Sequence, residues 1–178
     1  MDPISDQIQP ETRFELIGGA ICLDFANTVG GVRGGSSQEH MRSYIDLVSW
    51  SQQSHIITRG EAETLLRKAE SADAESVLKR AYALREAIYR IFAALAVGTQ
   101  PARGDLDALN KELERGTVGA YVIATSDGFG WEWSREAGDL DSMLGPIARS
   151  AATLLTSVER NFVRQCAGAS CGNYGRGA

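Results

Sequence analysis

Histidine is nearly absent from this chain. Of 178 residues, only His40 and His55 carry an imidazole. Neither stands in a His-Glu-x-x-His pair, and no Gly-x-x-x-x-Gly-Lys phosphate loop occurs. A zinc protease and a phosphate-loop nucleotidase therefore drop out, and the chain reads as a non-enzyme. Long apolar runs are missing too. None approaches the roughly 18 to 20 residues a membrane helix needs, and Met1 to Glu11 lacks the charged-then-apolar order of a signal peptide. Three cysteines, with Cys22 far from Cys166 and Cys171, do not make a secreted disulfide framework. A reducing, cytoplasmic compartment fits that usage, with no membrane partner. Basic excess is also lacking. The formal net charge of -5 argues against a chain that grips nucleic acid over its whole surface. A local basic stretch does stand near the end, where Arg149, Arg160, Arg164 and Arg176 are opposed only by Glu159.

What is present is an ordinary globular composition, 43% hydrophobic and 23% charged, enough for one core. Residues 1–12 are polar and carry Pro3 and Pro10, which reads as a loose leader. Alternation of Phe14 and Leu16 against Glu15 predicts a short strand. Ala20 to Val29 fits either period, with a helix favoured. Gly30 to Ser37 is a flexible loop by composition. Ser37 is then expected to cap a helix whose buried stripe is Met41, Tyr44, Ile45 and Val48. Thr58 and Glu61 form a capping-box pattern opening a helix through Ala69.

The strongest pattern is Val77, Ala81, Leu84, Ile88, Ile91 and Leu95, a long core helix stopped at Gly98. Leu106, Leu109 and Leu113 predict another, closed at Gly116. Ala120 to Thr125 and Gly130 to Trp133, joined through Ser126-Asp127-Gly128, read as a hairpin. A last helix runs from Leu140 to Val158, kinked or opened by Pro146. The expected fold is α+β and helix-rich: five to six helices and about three strands, with the Phe14 strand joining the hairpin in one small antiparallel sheet.

Three groups of side chains could carry chemistry. Cys166 and Cys171 are spaced so that two thiolates can face one tetrahedral zinc, although two ligands alone leave such a site half built. Asp24, Asn27 and Thr28 share a face if their segment is helical, and could hold a polar ligand or simply bond neighbouring backbone. Arg85 shares a face with Ala81, Ile88 and Phe92, where its fork of donors could meet Asp24 or a ligand carboxylate. Trp50, Trp131 and Trp133 could wall a pocket or serve as core. Cys22 reads as a small buried hydrophobe.

The segments Phe14 to Thr28, Leu84 to Phe92 and Leu154 to Gly172 together resemble the ABATE-domain family of bacterial proteins, which carry a CGNR-type zinc finger at the C-terminus. The resemblance spans nearly the whole chain in order. It implies a stress-induced transcription regulator with an ABATE-like domain at 13–158 and an incomplete finger segment at 159–178. The first part would sense a small polar or acidic ligand through Asp24, Asn27, Thr28 and Arg85. The second would hold zinc through Cys166 and Cys171 and contact DNA through its basic residues. Tyr174 stands where the family's closing Arg would be, so the finger reads as truncated or degenerate. The rival reading is a metal-free protein–protein interaction module that has lost its finger, pairing as a homodimer or with another protein. An enzyme using Asp24 as general base is a third reading.

Overall fold

The structure is a computed structural model that describes residues 13–133, 138–168 and 170–177, with backbone alone at 131 and 133. The leader at 1–12 and the side chains of Trp131 and Trp133 lie outside the described residues. Among the described residues, six helices and three two-stranded antiparallel ladders make up the α+β, helix-rich fold. In chain order these are α1 (Ile21–Ala26), β1 (Val29–Gly30), β2 (Gln38–Glu39), α2 (Tyr44–Gln53), α3 (Arg59–Leu66), α4 (Ala72–Ala96), α5 (Arg103–Thr117), β3 (Ala120–Thr125), β4 (Gly128–Trp133) and α6 (Leu144–Thr156). One 3-10 turn (Val158–Phe162) then leads into β5 (Val163–Gln165) and β6 (Tyr174–Arg176).

Helix α4 forms the central element. Ala74, Val77, Ala81, Leu84, Ile88 and Ile91 line its buried stripe, and α1, α2 and α5 pack around it. Its N-terminus is capped by Ser71, whose hydroxyl accepts from the Ala74 amide. Gly98 takes a φ of 74° just beyond its end, the left-handed stop its position predicts. Two ion-pair clusters pin α5 to α4. Arg80 grips Glu112 through two hydrogen bonds of 3.1 and 2.6 Å and also reaches Asp141, while Arg90 meets Asp105. Helix α6 crosses α5 so closely that a Cβ on Gly116 would lie 2.4 Å from the Gly145 Cα. Gly116 is therefore a contact residue within α5 rather than its stop. Pro146 sits in the first turn of α6, where its missing N–H costs nothing, so it marks the start of that helix and kinks nothing.

Two expected elements differ. Phe14 makes no strand, because its backbone is paired by a side chain instead. The Gln53 carboxamide accepts from the Phe14 amide at 3.1 Å and donates to its carbonyl. Ser37 opens no helix. Gln38 and Glu39 stay extended to pair with Gly30 and Val29, and the capping box of Ser43 and Asp46 starts α2 instead. Thr58 and Glu61 do form the predicted box on α3. Trp50 is core, tilted against Phe25 at 5.0 Å, and Cys22 is fully buried.

Candidate functional site

Helix α1 ends at Ala26, with Asn27 as its C-cap, so Asp24, Asn27 and Thr28 do not continue on one helical face. Each goes to a different partner. Asp24 accepts the Gly18 amide at 2.7 Å. Its burial raises the carboxyl above the ordinary aspartate range, an effect only partly offset by the backbone amides of Gly18 and Ile17. Thr28 donates to the Phe25 carbonyl at 2.8 Å. Asn27 reaches across 147 residues of chain: its carboxamide donates to the Tyr174 carbonyl at 2.8 Å and accepts the Tyr174 amide at 2.9 Å. One side chain thus supplies what a neighbouring strand would, and it docks β6 on α1.

Arg85 lies in the same region but does not meet Asp24. Its guanidinium is held by Glu39 through bonds of 2.8 and 2.6 Å, donates to the Thr28 hydroxyl at 3.1 Å, and touches Glu86. The Arg85–Asp24 pair, one of the two alternatives for this arginine, is therefore replaced by Arg85–Glu39. The reason is local: Asp24 faces the Gly18 turn, whereas the β1–β2 ladder delivers Glu39 over α4. Arg85 is 4% exposed and Glu39 37%, so a buried cation is covered by a carboxylate that water can reach.

Sequence reasoning missed two further members. Arg33, within the glycine-rich loop, donates to Glu86 at 3.0 Å and to the Ala26 carbonyl at 2.7 Å, and lies 3.7 Å over the Tyr89 ring. Its remaining Nη1 is buried with no hydrogen-bond partner among the described residues. Tyr89 in turn meets Tyr174 edge-on at 5.3 Å. A contiguous path therefore runs from Glu39 through Arg85, Glu86, Arg33 and Tyr89 to Tyr174. A cation embedded among glycines was the available signal for Arg33.

Cys166 and Cys171 occupy the turn between β5 and β6. The Cys166 amide donates to the Asn173 carbonyl and the Cys171 amide to the Gly168 carbonyl, both at 2.9 Å. The Cys171 thiol hydrogen-bonds the Cys166 sulfur, and with the Gly168 amide it lowers the Cys166 pKa; the same bond raises that of Cys171. The string Gly168-x-Ser170-x-Gly172 also falls here, in a strand-to-strand turn rather than the strand-to-helix turn of a nucleophile elbow. Gly172 backs directly onto the glycine-rich loop, since a Cβ there would sit 2.2 Å from the Gly31 carbonyl oxygen. Around the turn, Arg160 and Arg164 are exposed, and Arg176 pairs with Glu159.

The family described as "Putative stress-induced transcription regulator", ABATE, matches residues 19–158. The chain belongs to the ABATE family. No curated protein matches it. The ABATE match takes in α1 to α6 and closes where the 3-10 turn begins, so it contains Asp24, Asn27, Thr28, Arg85, Glu39 and Arg33. The cysteine hairpin lies beyond the ABATE match. It is nonetheless docked on it, because Val163 and Tyr174 are buried in the same core cluster as the helices. No described helix is long and apolar enough to cross a membrane.

Proposed function

We propose that this chain is the sensing part of a transcription regulator, in which a small acidic ligand exchanges with Glu39 on Arg85 and thereby changes how firmly the cysteine hairpin is held. The observation that carries this reading is the bidentate Glu39 carboxylate on a buried guanidinium. A site that already accepts a carboxylate in fork-to-fork geometry, from a partly exposed side chain, suits a free carboxylate equally well. Arg85 keeps an anionic partner in both states, so the exchange strands no buried charge. Thr28 and the spare Arg33 donor complete the polar surroundings. Asp24 and Asn27 act in the frame rather than on the ligand: Asp24 holds the Gly18 turn, whose carbonyl accepts the Arg176 amide, and Asn27 holds Tyr174. Release of Glu39 loosens the β1–β2 ladder and with it Gly31, which abuts Gly172 beside Cys171.

The cysteine turn fits half of a zinc set. A backbone amide two residues on meets each sulfur, Gly168 at Cys166 and Asn173 at Cys171; Cys166 is held below the ordinary thiol range, while its hydrogen bond keeps Cys171 above it. Among the described residues, no group of three or more His, Cys, Asp or Glu stands together, so Cys166 and Cys171 would supply two of the four positions. Zinc would fix the turn's geometry. Arg160 and Arg164 beside it would then meet phosphates of DNA.

The test is a thermal-shift screen of small mono- and dicarboxylates against wild type and Glu39→Gln. Removing the internal competitor raises ligand affinity by about tenfold or more. A panel that stabilises neither protein would overturn the reading.

A further inference from the structure

The hairpin that carries Cys166 and Cys171 brings the two thiols together by its register. Gln165 stands opposite Tyr174 at the end of the β5–β6 ladder. The pairing continues beyond the strand ends, because the Cys166 amide donates to the Asn173 carbonyl and the Cys171 amide to the Gly168 carbonyl, both at 2.9 Å. Cys171 is therefore two residues from the position opposite Cys166, and both side chains leave the same face of the hairpin. They meet there: the Cys171 thiol donates to the Cys166 sulfur. Glycine at 168 keeps the space beside them open, since a Cβ at that position would lie 3.2 Å from the Cys171 Cβ and 3.6 Å from the Cys166 sulfur. Cys166 is exposed and Cys171 partly so, whereas the third thiol, Cys22, is fully buried in α1.

We propose that Cys166 and Cys171 form a reversible oxidation site whose substrate is a small hydroperoxide, with hydrogen peroxide the simplest, and whose product is an intramolecular disulfide. Cys166, the more exposed sulfur, attacks as thiolate. Its electron pair takes the outer peroxide oxygen, the O–O bond breaks, and hydroxide leaves as water after taking a proton; Cys166 becomes a sulfenic acid. The Cys171 sulfur then attacks the Cys166 sulfur. The S–S bond forms, the S–O bond breaks and the thiol proton leaves with the oxygen as a second water. Two thiols are oxidised by two electrons and one peroxide is reduced. Thiols already in hydrogen-bond contact on one face need side-chain rotation rather than backbone movement to bond. An external thiol reverses the step by exchange. The site needs neither the carboxylate exchange at Arg85 nor zinc, and the disulfide excludes zinc because it removes both thiolates.

The reduced, chelator-treated full chain is exposed to a slight excess of hydrogen peroxide, and free thiols are then counted in denaturant. The count is expected to fall from three to one, with Cys166 joined to Cys171 in a monomeric chain and Cys22 still free, and dithiothreitol restores all three. Cys171→Ser stops at the sulfenic acid, caught by dimedone on Cys166. Cys166→Ser consumes peroxide at least about tenfold more slowly. In glutathione mixtures the folded chain holds the disulfide at least about tenfold more favourably than the chain unfolded in urea. Thiols that survive, a disulfide that forms only between chains, or equal folded and unfolded values would each overturn the proposal. Zinc content of the reduced chain is measured separately. A chain that takes up zinc yet forms no disulfide overturns this proposal and leaves the zinc reading standing; one that forms the disulfide and takes up no zinc does the reverse.

Discussion

Replacing Asn27 with alanine removes both hydrogen bonds to Tyr174 and leaves that residue's amide and carbonyl facing the end of α1 with no partner. If the hairpin stays docked, two buried polar groups go unsatisfied at about 1–3 kcal/mol each. If it detaches, the burial of Val163 and Tyr174 is lost, about 1.5–3 kcal/mol for each side chain. The two penalties are similar in size. Detachment, however, also returns backbone freedom worth about 1–2 kcal/mol per released residue. It should therefore win, and the loss should be local. Hydrogen exchange followed by mass spectrometry reads this directly. Amides of 163–177, including those of Cys166 and Arg176, should exchange at least about a hundredfold faster in Asn27→Ala, a change worth about 3 kcal/mol. Amides of α4 should keep their protection. Unchanged exchange in the hairpin, or loss spread evenly over all helices, would refute the reasoning.

Asp24→Asn should behave in the opposite sense. Burial raises the Asp24 pKa, so the folded state resists ionisation more than the unfolded chain does. Its contribution is present below the ordinary aspartate range and is lost as pH rises through the folded value. Asparagine can still accept the Gly18 amide, so the variant is expected to be at least as stable as wild type at neutral pH, with the difference closing on acidification in urea melts. Limited alkylation in mildly alkaline solution should modify Cys166 first and Cys171 second. Cys22, buried and pushed up to about 11, should react only after denaturation; peptide mapping that finds native Cys22 modified would contradict the packing of α1. Gly116→Ala should destabilise the chain by about 1–3 kcal/mol or more, because the added methyl meets the α6 backbone at Gly145, and calorimetry would register it as a lowered Tm.

Much of the helical frame could be read from the sequence because its signals are local. The spacing of Val77 to Leu95 is carried by the chain itself, as are the Thr58–Glu61 capping box and the Ser126-Asp127-Gly128 turn. Phe14 failed as a strand because alternation says nothing about a partner, and the partner proved to be the Gln53 side chain. Ser37 is a cap by residue type alone, whereas Ser43, where the helix starts, is followed by Asp46 at the third helical position and completes a capping box. At the candidate site, the face of α4 correctly drew Arg85 inward. Which carboxylate met it could not be read locally, since Asp24 and Glu39 differ only in where the tertiary path leaves them. Helical spacing singles out Asn27 beside Asp24 and Thr28, but its bonds to Tyr174 join segments 147 residues apart.

The claim that the Arg85 site and the cysteine hairpin are one coupled unit is tested most directly without any ligand. Glu39→Gln removes the carboxylate that bridges β2 to α4, and hydrogen exchange of 163–177 is compared with wild type. The expected result is exchange at least about tenfold faster across the hairpin, with α5 and α6 unchanged. Hairpin exchange identical to wild type, in a variant shown to have loosened β1 and β2, would contradict the coupling.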